Sequence, residues 1–169
     1  AKIEVQGNVV INGGGTIVLD GNNATTIFQI FSAASLELRN LTVQRAATNV
    51  AALENFGVLT LDKVILLNNQ GSGNGGAIAS YKTLIVRNSS FLNNSTSSSP
   101  SSLKSGGAIL VEGGTITVSS SSFSGNQVLG TMSRGGAIAV NNASLSLSDS
   151  HFSANQAFDG GALSVGIAS

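Results

Sequence analysis

Asp149-Ser150-His151 places the three residue types of a nucleophilic relay side by side, and is the first place to look for chemistry. In such a relay the imidazole must reach the hydroxyl while the carboxylate holds its other nitrogen. The run lies in an alternating segment, where consecutive side chains point to opposite faces. Ser150 is expected to point inward and His151 outward, so the three groups cannot meet. The other candidates are the carboxylates Glu4, Asp20, Glu37, Glu54, Asp62, Glu112, Asp149 and Asp159. A close pair could act as acid and base or hold a calcium ion. In the register set out below, no two share a ladder in adjacent coils; the equivalents of outward Glu37 are Thr60, Ile85, Thr117 and Ser146. Arg39, Asp62 and Arg87 do share a ladder, as an alternating-charge stack worth at most ~1 kcal/mol per exposed pair. Gly13-Gly14-Gly15 lacks the following helix and the Lys-Ser/Thr of a phosphate loop, and reads as a corner. No catalytic, cofactor-binding or metal-ligating residues are expected, and the chain reads as non-enzymatic.

The elements that carry these residues repeat. Gly-Gly-Ala followed by Ile or Leu occurs at Gly75–Ile78, Gly106–Ile109, Gly135–Ile138 and Gly160–Leu163. Between these runs lie the pairs Leu36/Leu38, Leu59/Leu61, Leu84/Val86, Ile116/Val118 and Leu145/Leu147. Each is followed at fixed offsets by two inward residues: Leu41 and Val43, Val64 and Leu66, Ser89 and Phe91, Ser121 and Phe123, Ser150 and Phe152. Asn69, Asn94, Asn126 or Asn155 comes next, with Ala46 in the earliest copy. Period-2 alternation inside a longer fixed repeat predicts a stack of coils. The fold class is all-β, a parallel β-helix of roughly six to seven coils spaced ~4.8 Å apart. Equivalent residues then form ladders: Phe91, Phe123 and Phe152 inside, and Asn69, Asn94, Asn126 and Asn155 at one corner. The glycine pairs occupy another corner, where a positive φ or a close backbone approach excludes a Cβ.

Residues 1–169 form a single domain. Residues 1–27 are its least regular coil, with Ile3/Val5, Val9/Ile11 and Ile17/Leu19 as three short strands. The segments 95–105, with Pro100 and seven serines, and 128–134 read as loops at one corner, where insertions and partners gather. Charged residues are 9% and the formal net charge is zero, which excludes a basic nucleic-acid stripe. No stretch reaches the length of a membrane-spanning helix, so no membrane insertion is expected of this segment.

The Gly-Gly-Ala-Ile runs, together with Phe91-Leu92-Asn93-Asn94, Phe123-Ser124-Gly125-Asn126 and Phe152-Ser153-Ala154-Asn155, resemble the polymorphic outer-membrane autotransporter adhesins. They are similar more broadly to right-handed parallel β-helix surface proteins of bacteria. The resemblance covers residues 28–169. It implies a right-handed β-helix, export to the cell surface or outside it, and an adhesive or structural role. Pectin-cleaving enzymes share this fold, and the clustered carboxylates they resemble one another in are missing here.

Two surfaces follow from the register. In the first strand of each coil, Ile30, Leu53, Ile78, Ile109, Ile138 and Leu163 are expected inward. Ala77, Ala108, Ala137, Ala162 and Leu110 are expected outward, as a flat apolar face for lateral packing against a second molecule. Neither end reads as a cap, so Ile3 and Val5 at one end and Leu163, Val165 and Ile167 at the other are expected to meet head to tail. The function expected is a self-assembling extracellular filament or surface layer. The alternative is an adhesin segment that binds a surface ligand through its edge loops.

Overall fold

The alternation of Ser35–Gln44 and Val58–Leu67 produces two ten-residue strands that lie side by side in parallel. Leu36, Leu38, Leu41 and Val43 of the first stand over Leu59, Leu61, Val64 and Leu66 of the second, and all eight are buried. The computed structural model describes residues 1–72, 74–97, 105–130 and 132–166. Among these residues there is no helix, and every strand pairing is parallel. The chain is an all-β solenoid of about six turns.

Three sheets run along its axis. The first stacks Ile3–Val5, Phe28–Ile30, Leu53–Asn55, Ile78–Ser80, Ile109–Glu112, Ile138–Asn141 and Leu163–Gly166. The second is the largest and contains the Leu-x-Leu pairs. Its strands run unbroken in the two turns just described and are split in the later ones, as in Thr83–Arg87 and Ser90–Leu92. The third stacks Gln70–Ser72, Ser95–Ser97 and Gln127–Leu129. Two of the expected loops therefore begin as strand. Ser95–Ser97 and Gln127–Leu129 pair with each other before the chain leaves the sheet, and residues 98–104 lie outside the described set. A short alternating run of Ser, Thr and Gln carries too little apolar signal to read as strand; its neighbours on the stack order it.

Each corner has its own chemistry. Asn40, Lys63, Asn88, Ser120 and Asp149 all take positive φ where the second sheet bends. Just past the bend, Ser89 Oγ accepts the Val64 N–H and Ser121 Oγ accepts the Ser89 N–H, each at 3.1 Å. At the next corner the buried asparagines bond along the axis. Asn94 Nδ2 donates to Asn126 Oδ1 at 3.0 Å and to the Leu66 carbonyl at 2.9 Å. Its Oδ1 accepts both the side-chain and backbone N–H of Asn69, at 3.0 Å each. Asn126 repeats the pattern with Asn155 and Phe91. Between these corners Phe91, Phe123 and Phe152 stack with centroids 4.6 and 4.8 Å apart.

The glycine pair serves two purposes. Gly106 has φ +85°, a left-handed conformation that disfavours any side chain. Gly107 fills no such role; a Cβ there would lie 2.0 Å from the Gly136 carbonyl oxygen of the next turn.

The first sheet departs from expectation in two ways. Phe28, not Ile30, pairs with Leu53, and Ile30 pairs with Asn55. A slip of two residues keeps every side chain on its own face, so alternation cannot detect it. It also sets Asn55 in the interior, fully buried, where Nδ2 donates to Ser80 Oγ at 2.9 Å and the Thr83 carbonyl at 2.8 Å. The second departure is the alanine face. Ala77, Ala108 and Ala137 are fully buried and belong to the core. The Ala137 carbonyl accepts the N–H of both Ala108 and Ile109, so the chain turns at the alanine and the pleat starts only at Ile109. Leu110 does lie opposite the core residues Ile109 and Val111, yet its exposure is 0% within the single chain. The chain covers its own sheet there, and Ala77, Ala108, Ala137 and Leu110 offer nothing to a second molecule. Ala162 is half-buried.

Candidate functional site

The outer face of the second sheet holds the main charge cluster. Arg39, Asp62 and Arg87 stand on one ladder. Glu37 joins them diagonally, with Oε1 at 2.8 Å from Arg39 Nε and 3.3 Å from Arg87 Nη2, while Arg87 Nε lies 3.5 Å from Asp62 Oδ2. Counting ladders missed this meeting of two acids, because it runs across rungs through long arginine side chains. The hydrogen bond from Arg39 holds the Glu37 carboxyl below its usual range, with the Arg39 and Arg87 charges adding to it. Asp20 is held well below the carboxylate range by hydrogen bonds from Arg45, Gln44 and the Asn22 N–H. Both acids stay ionised with their oxygens engaged, so neither can deliver a proton near neutral pH.

Asp149, Ser150 and His151 do not form a relay. Ser150 Oγ donates to the Ser148 carbonyl and accepts the Ser121 N–H, as a rung of the serine ladder, and His151 is exposed. On the first sheet, Lys2 Nζ donates to Gln29 Oε1 at 2.5 Å and Gln29 Nε2 to Glu54 Oε2 at 2.9 Å. Burial raises the Tyr81 hydroxyl, with Glu54 and Glu112 adding to the rise, and its ring stacks on Phe56 at 4.8 Å. Among the described residues no group of three or more His, Cys, Asp and Glu could hold a metal ion.

The loop-bearing edge differs from these faces. Met132, Arg134, Phe158 and Asp159 line an open cavity of about 180 Å³. Phe158 is 79% exposed and Met132 48%. Beneath them Ser133 is fully buried; its Oγ accepts the Phe158 N–H at 2.8 Å and its carbonyl accepts the Asp159 N–H at 2.9 Å. Arg134 Nε stands 3.9 Å from Asp159 Oδ2, both side chains well exposed. Sequence reasoning placed a contact region at 128–134 but passed over Phe158. The available signal was that Phe158 stands outside the Phe-x-x-Asn pattern and so has no ladder to enter.

Of the end residues, Ile3 and Val165 are exposed, Val5 is buried and Leu163 half-buried; Ile167 lies outside the described residues. No described helix is long and apolar enough to cross a membrane.

Residues 63–81 and 88–112 match the family model of the Chlamydia polymorphic membrane protein repeat. No curated protein and no solved structure matches the chain. The matched stretches contain Asn69, Gly75–Ile78, Phe91, Asn94 and Gly106–Ile109, so the likeness lies in the ladder residues rather than in the exposed edge. That family suggests an outer-membrane or surface location. The repeat match and the parallel solenoid together fit a polymorphic outer-membrane autotransporter-like β-helix protein, the group to which this chain is similar.

Proposed function

We propose that this chain is a non-catalytic, surface-displayed β-helix segment that acts by adhesion, presenting the edge around Phe158 to a ligand outside the cell. One observation carries the reading. The repeated motifs are consumed by the interior, with Phe91, Phe123, Asn94 and Asn126 all fully buried, while large apolar side chains stand free at the edge. The engagement of Asp20 and Glu37 by arginines supports the non-catalytic part. Beads coated with the protein are expected to adhere to cultured epithelial cells above albumin-coated beads. Phe158→Asp should abolish the difference, and Thr117→Lys on the opposite, exposed face should not. Equal adherence of coated and control beads, or equal loss in both variants, would overturn the reading.

End-to-end assembly is the second reading. Val10 and Val18 in the first turn and Leu147 and Val165 in the last are exposed ladder residues that one further rung would cover. That rung belongs either to more coils of a longer protein or to another copy. Leu163→Lys with Val165→Lys should then reduce a sedimenting polymer to short oligomers. A wild-type chain that sediments as a monomer at high concentration removes the filament.

A further inference from the structure

We propose that the edge around Phe158 is a homophilic contact, in which two copies of this chain meet about a two-fold axis. The proposal rests on reading that edge as the contact surface, and names its partner.

The first ground is shape. An exposed ring stands beside a hollow that it leaves open. An apolar cavity of ~150 Å³ holds a benzene molecule. The cavity of about 180 Å³ lined by Met132, Arg134, Phe158 and Asp159 is therefore the size of one phenyl group. A second copy brings such a ring, at the right height, next to its own hollow. Met132 adds an adaptable apolar wall.

The second ground is charge. A two-fold contact sets each patch against itself, so the patch must be self-complementary. Arg134 and Asp159 satisfy this, being one positive and one negative group on the same rim. Rotated by half a turn, Arg134 of each copy faces Asp159 of the other. Their contact within one chain is loose, at 3.9 Å, which leaves both free to pair across the axis. The formal net charge of zero removes long-range repulsion between copies.

The third ground is preorganisation. The buried Ser133 ties the Phe158 and Asp159 backbone to the turn before it, and Arg134 bridges in parallel to Asp159. Ordering lost on association is small when the contact surface is already fixed.

The test is sedimentation of the purified chain across a concentration series. A closed dimer is expected, not an open series of oligomers; an open series would place the contact at the ends and overturn the proposal. Phe158→Ala is expected to weaken the dimer about tenfold or more, as loss of an aromatic anchor does. Arg134→Asp and Asp159→Arg should each be monomeric, because like charges then face each other across the axis. An equimolar mixture of these two variants should recover the dimer, since both cross-axis pairs are again opposite. Circular dichroism of each variant should match wild type, the altered side chains being exposed. A monomeric wild type, a dimer indifferent to Phe158→Ala, or a mixture that stays monomeric would overturn the proposal. A monomeric chain whose coated beads still adhere through Phe158 would reject the homophilic partner and leave the edge reading standing, with a different molecule in the cavity.

Discussion

A single asparagine in this chain does the work of several backbone groups. Asn94 donates to the Leu66 carbonyl and to Asn126, and accepts two N–H groups from Asn69, all in a dry corner. Asn94→Ala would strand the Asn69 amide and the Leu66 carbonyl, and each buried unsatisfied group costs ~1–3 kcal/mol. A loss of about 3 kcal/mol in a reversible urea melt is expected; a loss under about 1 kcal/mol would mean that water reaches the corner. At the surface, Asp20 and Glu37 have folded pKa values below their ordinary ones. Groups of that kind add stability above the unfolded pKa, ~4 for carboxylates, and lose it as pH falls through the folded value. The urea midpoint should therefore fall as pH is lowered from 4. Asp20→Asn should lower the midpoint at pH 6, and its gap from wild type should narrow toward pH 2. A gap that does not change with pH would show that the Asp20–Arg45 pair is not the source.

At the level of the element, the coil is set by contacts between equivalent positions. Phe123 is sandwiched between Phe91 and Phe152. Phe123→Ala removes the middle of the stack and should cost on the order of 3–5 kcal/mol. The glycine corner gives a sharper contrast. A methyl group at Gly107 would collide with backbone of the next turn, whereas one at Gly14 meets nothing within 4 Å and carries only the strain of φ +60°. Gly14→Ala should cost ~1–2 kcal/mol, the usual penalty of the left-handed region. Gly107→Ala should prevent folding, because moving the obstructing carbonyl breaks the spacing of two turns. Similar melting of the two variants would show that the turns can separate.

Over the whole molecule, each turn touches only its neighbours, so stability is a sum of turn and interface contributions. Central turns have both interfaces; Leu59, Leu84 and Ile109 are fully buried, while Val10 and Val165 at the outer turns are exposed. Amide exchange should therefore be slowest between Val58 and Val118 and fastest in the first and last described strands. Uniform protection along the axis would show that the chain opens only as one unit. The same one-dimensional plan explains why the family likeness is strong in architecture and silent on partners. The matched residues define the shaft, and the edge that a partner meets lies between them.

The sequence by itself determined the solenoid, its turn length and its second-sheet register. The Leu-x-Leu spacing fixes which residues lie one above another, and Leu36, Leu59, Leu84, Ile116 and Leu145 do pair in that order. Alternation is a local property, so residues two to ten apart carry it in full. Tertiary structure decided what alternation cannot hold. The two-residue slip that seats Phe28 on Leu53 leaves every face unchanged, and only packing against the neighbouring turn selects it. Ala108 and Leu110 looked outward in the strand pattern, but burial depends on what else crosses the sheet, and the chain crosses it itself. Glu37 met Asp62 through Arg87 because long side chains reach across rungs. Phe158 became a surface feature for a similar reason. Its exposure follows from the buried Ser133 of the preceding turn, 25 residues earlier, which holds its backbone out at the edge.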